Sequence, residues 1–280
     1  MFEILQKEKL CPSVLRMVID APLIAAKVQA GQFVILRVTE DGERIPLTVA
    51  DYDRAAGTVT IIFQTVGATT LALSRLEIGE RLQDFVGPLG KATETEGLKK
   101  VAVIGGGVGT AIAYPVAKKL HEQGAQVHCI VGFRNRDFVI LQDEFNAVSD
   151  RLIAMTDDGS FGAKGLVTDA LRRLLEAGEM YDEVIAIGPL PMMKFVSLLT
   201  KEYGVKTIVS MNPIMIDGTG MCGGCRLTVG GQTRFACVDG PEFDGHLVDF
   251  DEAMDRSRLY RDQERHAYEK ACRLLGQEVR

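Results

Sequence analysis

The chain has 280 residues, of which 46% are hydrophobic and 25% charged, as in a globular protein with room for more than one core. Its net charge is −6 and it has no basic stripe with interleaved aromatic residues, which excludes nucleic acid as a partner. The longest charge-free apolar stretch, residues 101–117, holds four glycines and a proline, so a strand, a glycine turn and a helix explain it better than a membrane span.

The amino terminus lacks a basic stretch followed by an apolar core, so we expect no signal peptide and a cytoplasmic protein. Short β-branched segments then follow, bounded by glycine, proline or aspartate. They lie at residues 14–19, 32–38 and 58–63, and a short helix is predicted at 69–76. Regularly spaced short strands of this kind predict a β-barrel or a sandwich.

From residue 97 onward, strands alternate with helices. Strands are predicted at 101–104, 127–132, 151–156, 183–187 and 206–210, and helices at 110–123, 138–148, 165–177 and 191–203. This alternation predicts a parallel, doubly wound sheet. A cysteine-bearing loop follows at 211–245, and residues 250–275 predict one charged helix, on the surface or at a subunit contact.

A glycine run, Gly105-Gly106-Gly107-Val108-Gly109, stands between the first of these strands and its helix. Glycines allow a diphosphate to approach the backbone, and the helix amino terminus favours its negative charge. Thr110 takes the last glycine position of the dinucleotide fingerprint, so a plain tight turn is the alternative. Arg134 and Arg136, rather than an acidic residue, follow the second strand, and this leaves NADP open beside NAD.

Two motifs in the first third of the chain suit a flavin. In Arg44-Ile45-Pro46-Leu47-Thr48, an arginine and a hydroxyl are spaced to hold a flavin pyrophosphate and the isoalloxazine edge. The run Gly67-Ala68-Thr69-Thr70 precedes a predicted helix, so its amides can bind phosphate. An edge strand and a capped helix explain either motif alone equally well. Together, before a nucleotide domain, they indicate a series of redox carriers.

The strongest signal is a metal-ligand pattern formed by Asp217, Cys222, Cys225 and Cys237. The spacing matches the plant-type [2Fe-2S] motif, with aspartate in the first position. Nearby glycines let backbone amides turn toward the sulfurs. Zinc is the alternative, because Cys-x2-Cys is half of a zinc ribbon, although ribbons usually supply two such pairs. Asp217 is either a ligand or only the first residue of a turn with Gly218.

These motifs, in this order, resemble the ferredoxin–NADP reductase superfamily over about residues 1–250. Three further runs carry the likeness: Gly87-Pro88-Leu89-Gly90, Asp157-Asp158-Gly159-Ser160-Phe161-Gly162 and Gly188-Pro189 with Met192 and Met193. The chain is similar to the electron-transfer subunits of dihydroorotate and sulfide dehydrogenases. It is most similar to the small (alpha) subunits of NADH-dependent reduced ferredoxin:NADP oxidoreductases, which share the aspartate where dihydroorotate dehydrogenase subunits have a fourth cysteine.

The resemblance implies an FAD-binding barrel at 1–96, an NAD(P)-binding domain at 97–210, a [2Fe-2S] segment at 211–249 and a helical extension at 250–280. The implied flavin-binding residues are Arg44, Pro46, Leu47, Thr48, Gly67, Thr69 and Thr70. The implied nucleotide-binding residues are Gly105, Gly106, Gly107, Val108, Gly109, Asp157, Asp158, Gly188 and Met192. The implied cluster ligands are Asp217, Cys222, Cys225 and Cys237.

The function so implied is electron transfer between NAD(H), FAD and a [2Fe-2S] cluster, with no catalytic residue beyond the cofactors. The implied partner is a larger subunit with FAD and [4Fe-4S] clusters, which uses ferredoxin and NADP(H) by electron bifurcation. The alternatives are an electron-transfer subunit of a dihydroorotate or sulfide dehydrogenase and, from another class, a zinc-stabilised nucleotide-binding assembly module. Two residues depart from the superfamily: Thr110 replaces a proline, and Ile187 stands where many relatives have a cysteine beside the hydride-transfer site.

Overall fold

The computed structural model describes residues 2–274, and seven antiparallel strands form its first part. The strands are β1 (Phe2–Cys11), β2 (Val14–Asp20), β3 (Phe33–Arg37), β4 (Ile45–Asp53), β5 (Thr58–Gln64), β6 (Arg81–Leu82) and β7 (Asp84–Leu89), with helices α1 (Pro22–Ala25) and α2 (Ala68–Leu73). Their order is β6-β1-β2-β5-β4-β3-β7. Only Gln83 separates the edge strands β6 and β7, so the two edges meet and the sheet closes as a barrel.

A second seven-stranded sheet follows, with helices on both faces. Its elements are β8 (Lys100–Gly106), α3 (Gly109–Glu122), β9 (Gln126–Phe133), α4 (Gln142–Ala147), β10 (Arg151–Thr156), β11 (Ala163–Lys164), α5 (Val167–Glu176), β12 (Glu183–Ile187), α6 (Leu190–Glu202) and β13 (Thr207–Ser210). These strands are parallel, in the order β11-β10-β9-β8-β12-β13. The predicted fold class, a barrel followed by a doubly wound sheet, is confirmed.

The strand order reverses beside β8. The chain runs outward from β8 through β9 to β10, and then returns to place β12 on the other side of β8. In sheets of this type, ligands bind at the carboxyl ends of the strands at such a reversal. The glycine run after β8 and Gly188 after β12 both lie at this position.

The cysteine-bearing segment is more ordered than the predicted loop. It contains the hairpin β14 (Arg226–Val229) and β15 (Gln232–Phe235), and β16 (Glu242–Asp244), which extends the second sheet as an antiparallel strand beside β13. Helices α7 (Phe250–Arg256) and α8 (Arg261–Leu274) follow, with α7 against β14 and α8 against α2. The prediction of one helix over 250–275 is wrong, because the helix is interrupted between α7 and α8; residue 275 lies outside the described residues.

The predicted helix at 138–148 is also wrong in its first half. The chain forms a 3₁₀ turn at Arg136–Phe138, and α4 begins only at Gln142. Leu141 has a left-handed φ of 58°, which a continuous α-helix cannot contain. Ile140 and Leu141 are both buried, and this detour of the chain places them in the core beneath α3.

Three hydrophobic cores hold these layers together. One fills the barrel, one lies between the second sheet and α3, and the third joins α5 and α6 to the cysteine-bearing segment. No helix within residues 2–274 has both the length and the apolar character needed to cross a bilayer. The domain boundaries at 96, 210 and 249 stay a prediction.

Candidate functional site

A cavity of about 820 Å³ lies where the barrel, the carboxyl ends of β8 and β12 and the start of the cysteine-bearing segment meet. Eleven of the sequence-predicted residues line it: Pro46, Leu47, Thr48, Thr70, Gly106, Gly107, Val108, Gly109, Asp157, Gly188 and Met192. Five others do not: Arg44, Gly67, Thr69, Gly105 and Asp158. One chamber therefore joins most of the flavin and nucleotide candidates.

The glycine run makes a turn that packs directly on the loop after β12. Gly107 has a left-handed φ of 55°, and its amide donates to the Gly132 carbonyl at 2.8 Å. A Cβ at Gly109 would lie 2.5 Å from the Ile187 carbonyl oxygen, and one at Gly106 would lie 2.4 Å from the Met192 sulfur. Only glycine fits these positions, and the same turn leaves backbone exposed to the cavity, as a diphosphate requires.

Thr110, the first departure from the superfamily pattern, is fully buried under this turn. A Cβ at Gly105 would lie 2.7 Å from the Thr110 Cα, so Gly105 is needed for packing of α3 on β8. The Thr110 hydroxyl has no hydrogen-bond partner among the described residues. Ile187, the second departure, lines the cavity and puts an apolar side chain where relatives have a thiol.

Two adjacent aspartates after β10 have different surroundings. Asp157 lines the cavity together with Arg134. The Asp158 carboxylate instead accepts from the Ser160 hydroxyl at 2.6 Å and the Ser160 amide at 2.9 Å, and these bonds lower the pKa of Asp158. The Arg136 guanidinium lies 5.9 Å from the centre of the Phe161 ring. Of the two aspartates, only Asp157 therefore lines the cavity.

The flavin candidates fall into two groups. Thr48, paired with Phe33 in the β3–β4 ladder, brings its strand to the cavity wall. Arg44 has a buried Nε without a hydrogen-bond partner among the described residues. A buried guanidinium N–H needs an acceptor, and a phosphate or carbonyl oxygen of a bound flavin would provide one. This orphaned donor and the apolar cavity wall fit FAD.

The turn before α2 is held by its own side chains. The Thr70 hydroxyl accepts from the amides of Val66 and Gly67, each at 3.0 Å. The Thr69 hydroxyl donates to Glu43 at 3.1 Å, outside the cavity. Thr70 therefore shapes the turn, and the structure does not bring Thr69 to the cavity as the sequence motif predicted.

Several cavity residues were not predicted from the sequence. They are mainly Gln64 at the end of β5, Thr168 at the start of α5, Phe195 on α6, and Ser210, Met211 and Asn212 at the end of β13 and directly after it. The last three stand at the carboxyl end of a parallel strand, so they reach the same edge of the sheet as the glycine turn. That rule, applied to every predicted strand, would have found them.

Three thiols lie in the cysteine-bearing segment, and Cys225 and Cys222 both act electrostatically on Cys237. Cys225 and Cys237 are 1% and 2% exposed, and the Cys237 amide donates to the Cys225 sulfur at 3.5 Å. Burial raises the pKa of Cys237 to about 12, and the adjoining Cys225 and Cys222 add to this effect. Cys222 is exposed; its sulfur accepts from the Gly224 amide at 3.5 Å, which lowers the pKa of Cys222.

Asp217 makes the hydrogen bonds of a turn. Its Oδ2 accepts from the Thr219 hydroxyl at 2.5 Å, the Thr219 amide at 2.9 Å and the Met221 amide at 3.3 Å. These bonds, with a smaller contribution from the positive charge of Arg44, lower the pKa of Asp217. The turn alternative is therefore realised in the structure, and iron ligation by Asp217 stays a prediction.

No three His, Cys, Asp or Glu side chains in the described part of the chain converge as a ready-made metal site. The donor set nevertheless suits an iron–sulfur cluster. Two buried thiols are neighbours, and the Cys237 thiol, whose pKa burial raises, is costly to ionise unless a bound metal supplies compensating charge. Gly218, Gly220 and Gly223 have positive φ angles, which give the loop the tight bends needed to wrap a cluster.

Two family models match the chain. The model for the iron–sulfur cluster binding domain of dihydroorotate dehydrogenase B matches residues 212–249, and an oxidoreductase NAD-binding domain matches residues 103–198. The first contains all four predicted cluster residues, and the second contains the glycine turn, Asp157 and Gly188.

Whole-chain relatives agree with these matches. A dihydroorotate dehydrogenase B (NAD(+)) electron transfer subunit homolog from Thermotoga maritima is 47% identical, over 98% of this chain and 97% of the relative. The dihydroorotate dehydrogenase B (NAD(+)) electron transfer subunit of Streptococcus pneumoniae strain R6 is 32% identical, over 86% and 94%. A chain in a structure of the NADH-dependent reduced ferredoxin-NADP oxidoreductase, from work on flavin-based electron bifurcation, is 47% identical. It aligns over 96% of this chain and 97% of that one with a TM-score of 0.91.

Proposed function

The chain belongs to the family of dihydroorotate dehydrogenase B-type electron-transfer subunits, in the ferredoxin–NADP reductase superfamily, and we propose that it passes electrons between NAD(H), FAD and a [2Fe-2S] cluster. One observation carries the proposal. A single chamber is lined by the flavin candidates of the barrel and by the dinucleotide turn, and the segment with the three thiols begins at its wall.

Different residues bind the nicotinamide nucleotide and the flavin. The glycine turn and Asp157 bind the nicotinamide nucleotide, by backbone amides and by a ribose-accepting carboxylate. Pro46, Leu47 and Thr48 support the flavin ring from the cavity wall, and Arg44, which does not line the cavity, offers its unpartnered buried Nε to the flavin from outside that wall. The bound FAD converts the two-electron chemistry of nicotinamide into the one-electron chemistry of an iron–sulfur cluster. The protein's part is to position these groups and keep water out.

Among the described residues, no acid–base side chain stands at the centre of the chamber, which agrees with redox chemistry carried by the cofactors. Ile187 beside Gly188 is apolar, and the nearest carboxylate on the wall is Asp157, assigned to the ribose. The choice of NAD(H) rests on that carboxylate. Arg134 lines the same wall and leaves NADP(H) as the second nucleotide to be tested.

For the assembly, we propose a heterodimer with a larger FAD and [4Fe-4S] subunit, which exchanges electrons with ferredoxin and NADP(H) by bifurcation in the cytoplasm. The support is the 47% identity to a chain of the ferredoxin-NADP oxidoreductase over nearly its full length. The aspartate in the first ligand position favours the same branch. All six cysteines are free thiols, which suits a reducing compartment.

A dihydroorotate dehydrogenase partner is the second candidate, supported by the 32% identity to such electron-transfer subunits. Affinity purification of the tagged chain from its native cells separates the two. Co-purification of a larger iron–sulfur flavoprotein supports the first candidate, whereas a dihydroorotate dehydrogenase catalytic chain supports the second.

Anaerobic addition of NADH to the purified chain tests the redox function itself. We expect a yellow-brown protein with FAD and about two irons per chain, whose flavin absorbance falls on mixing. A colourless protein that holds only zinc would contradict the proposal and favour the zinc-stabilised assembly module.

A further inference from the structure

Helix α7 is part of the packing around Cys225 and Cys237, although it follows the matched iron–sulfur domain. Its first residue, Phe250, is 6% exposed and shares a hydrophobic core with Cys225 and Cys237. Near its middle, the Glu252 carboxylate accepts from the Thr228 amide of β14 at 3.1 Å. The extension is therefore fixed to the hairpin that carries the cluster loop.

At the end of α7, Arg256 reaches the cluster loop itself. Its Nη2 donates to the Gly224 carbonyl at 3.2 Å, and the Arg226 Nη1 donates to the preceding carbonyl, that of Gly223, at 3.2 Å. Two guanidinium groups thus hold the two successive carbonyls that lie between Cys222 and Cys225.

These contacts matter because glycine peptides rotate easily. Without a Cβ, the Gly223–Gly224 pair can turn either its amides or its carbonyls toward a sulfur at little cost. Arg226 holds the Gly223 carbonyl of the peptide whose Gly224 amide donates to the Cys222 sulfur at 3.5 Å, and Arg256 holds the carbonyl of the next peptide, whose amide is that of Cys225. Amide donors to cluster sulfurs stabilise the more negative, reduced state and raise the reduction potential.

Arg256 also brings a positive charge to the cluster loop. No carboxylate in residues 2–274 lies within 4.0 Å of its guanidinium. Arg256 is partly buried, whereas Arg226 is exposed. Water and salt screen a partly buried charge less than an exposed one, so the charge of Arg256 is screened less than that of Arg226.

We propose that Arg256 is a positioning residue of the cluster site: it holds the Gly224 carbonyl away from the sulfurs and, with its charge, raises the reduction potential of the [2Fe-2S] cluster. This inference rests on the proposed function. It assigns a redox role to the carboxyl-terminal extension, which the sequence indicated only as a surface or contact helix.

The test compares Arg256→Gln, Arg256→Lys and Arg258→Gln in the full-length holoprotein. Arg258 is the matched control, because it lies two residues beyond the end of α7, is 65% exposed and pairs with Asp255 at 3.6 Å. Iron content, the electron paramagnetic resonance (EPR) spectrum of the reduced cluster and its midpoint potential are measured in an anaerobic dye titration.

We expect Arg256→Gln to keep its iron and to shift the cluster equilibrium about tenfold toward the oxidised state, which is about 59 mV for one electron. Arg256→Lys should recover most of that shift, and Arg258→Gln should match the wild type. If Arg256→Gln loses iron, Arg256→Lys decides: it should retain iron and a potential near that of the wild type.

An unchanged potential in an iron-replete Arg256→Gln protein would overturn the inference. Loss of iron from both Arg256 variants, with iron intact in Arg258→Gln, would also overturn it, because the arginine would then only hold the loop in shape. A wild-type chain without a cluster is a different result, since it refutes the proposed function rather than the role of Arg256.

Discussion

The Cys237 amide donates to the Cys225 sulfur at 3.5 Å, within a core that α7 and the β14–β15 hairpin close. The Cys237 thiol is expensive to ionise in this position, because burial raises its pKa. A cluster that takes both sulfurs as thiolates removes that cost, which is why this pair, rather than the exposed Cys222, forms the fixed side of the proposed site.

Replacing either buried thiol should therefore remove the cluster. We expect Cys225→Ser and Cys237→Ser each to retain less than about a third of the wild-type iron and visible cluster absorbance. Cys11→Ser is the control, since Cys11 is also a buried free thiol but lies in the core beneath the barrel edge. Full iron content in Cys237→Ser would refute this ligand assignment.

One substitution of Asp217 tests whether its carboxylate binds iron or only shapes the turn. Asp217→Asn keeps an oxygen for the Thr219 amide but loses the charge. If the carboxylate binds iron, the variant should lose iron or change the EPR spectrum of the reduced cluster. Asp53→Asn is the control, because Asp53 accepts from the Ala55 and Ala56 amides in a similar turn. A wild-type spectrum and iron content in Asp217→Asn would leave Asp217 with the turn role alone.

The neighbouring aspartates Asp157 and Asp158 make a matched pair for nucleotide binding. Asp157→Asn should raise the KM for NADH about tenfold, as expected for loss of a charged hydrogen-bond acceptor. Asp158→Asn should change it much less, because Asp158 bonds to Ser160 in its own loop. The steady-state rates with NADH and NADPH are compared for both variants. Equal effects of the two substitutions would contradict the assignment of the ribose to Asp157.

Glu242 on β16 predicts a pH dependence of stability. Burial raises its pKa to about 7, while the Thr93 hydroxyl, which donates at 2.7 Å, acts in the opposite direction. Glu183 and Glu94 raise the pKa further and Lys119 lowers it. The folded state thus binds a proton more tightly than the unfolded state. The stabilisation is complete below about pH 4.5 and is lost as the pH rises through about 7.

Urea unfolding of the wild type and of Glu242→Gln at pH 5 and pH 8 measures this effect. The neutral variant should gain on the order of 2 kcal/mol relative to the wild type between the two pH values. Thr93→Val, which removes the donor that favours the charged form, should move the wild-type fall in stability to higher pH. A constant difference between wild type and Glu242→Gln at both pH values would refute the prediction.

The strands of the second sheet agree closely with those predicted from the sequence. The bounds of β10 (Arg151–Thr156) and β12 (Glu183–Ile187) agree with the predicted ranges, because strands covered on both faces appear as short apolar runs. The predicted start of helix α4 was wrong, because Leu141 adopts a left-handed conformation, and both Leu141 and Ile140 are buried. That conformation depends on packing in the core beneath α3, and the local sequence pattern carries no information about this packing.

The strands of the barrel were harder to predict from their own sequences. Strand β4 contains Pro46 and three charged or polar positions near its end, and only Val49 and Ala50 along it are buried. Such a strand is defined by its partners β3 and β5 rather than by its own composition. The strands β1, β6 and β7 were missed in the same way.

Motif residues brought together by neighbouring strand ends were predictable, and contacts made across the fold were not. The glycine turn, Asp157 and Gly188 share a sheet edge; the strand–turn–helix pattern indicated the glycine turn, and the family resemblance implied the other two. Arg256, at the end of α7, donates to the Gly224 carbonyl in the cluster loop, and the packing of Phe250 places α7 beside that loop. No spacing rule relates these positions, so only the structure could reveal the contact.

The central claim is that one chain connects nicotinamide, flavin and iron–sulfur cluster. The most direct measurement is anaerobic rapid mixing of the FAD- and iron-replete chain with NADH, followed by absorbance and by EPR of frozen samples. We predict a fall in flavin absorbance, followed by the signal of a reduced [2Fe-2S] cluster. An unchanged flavin spectrum and no cluster signal, in protein with both cofactors in place, would contradict the account.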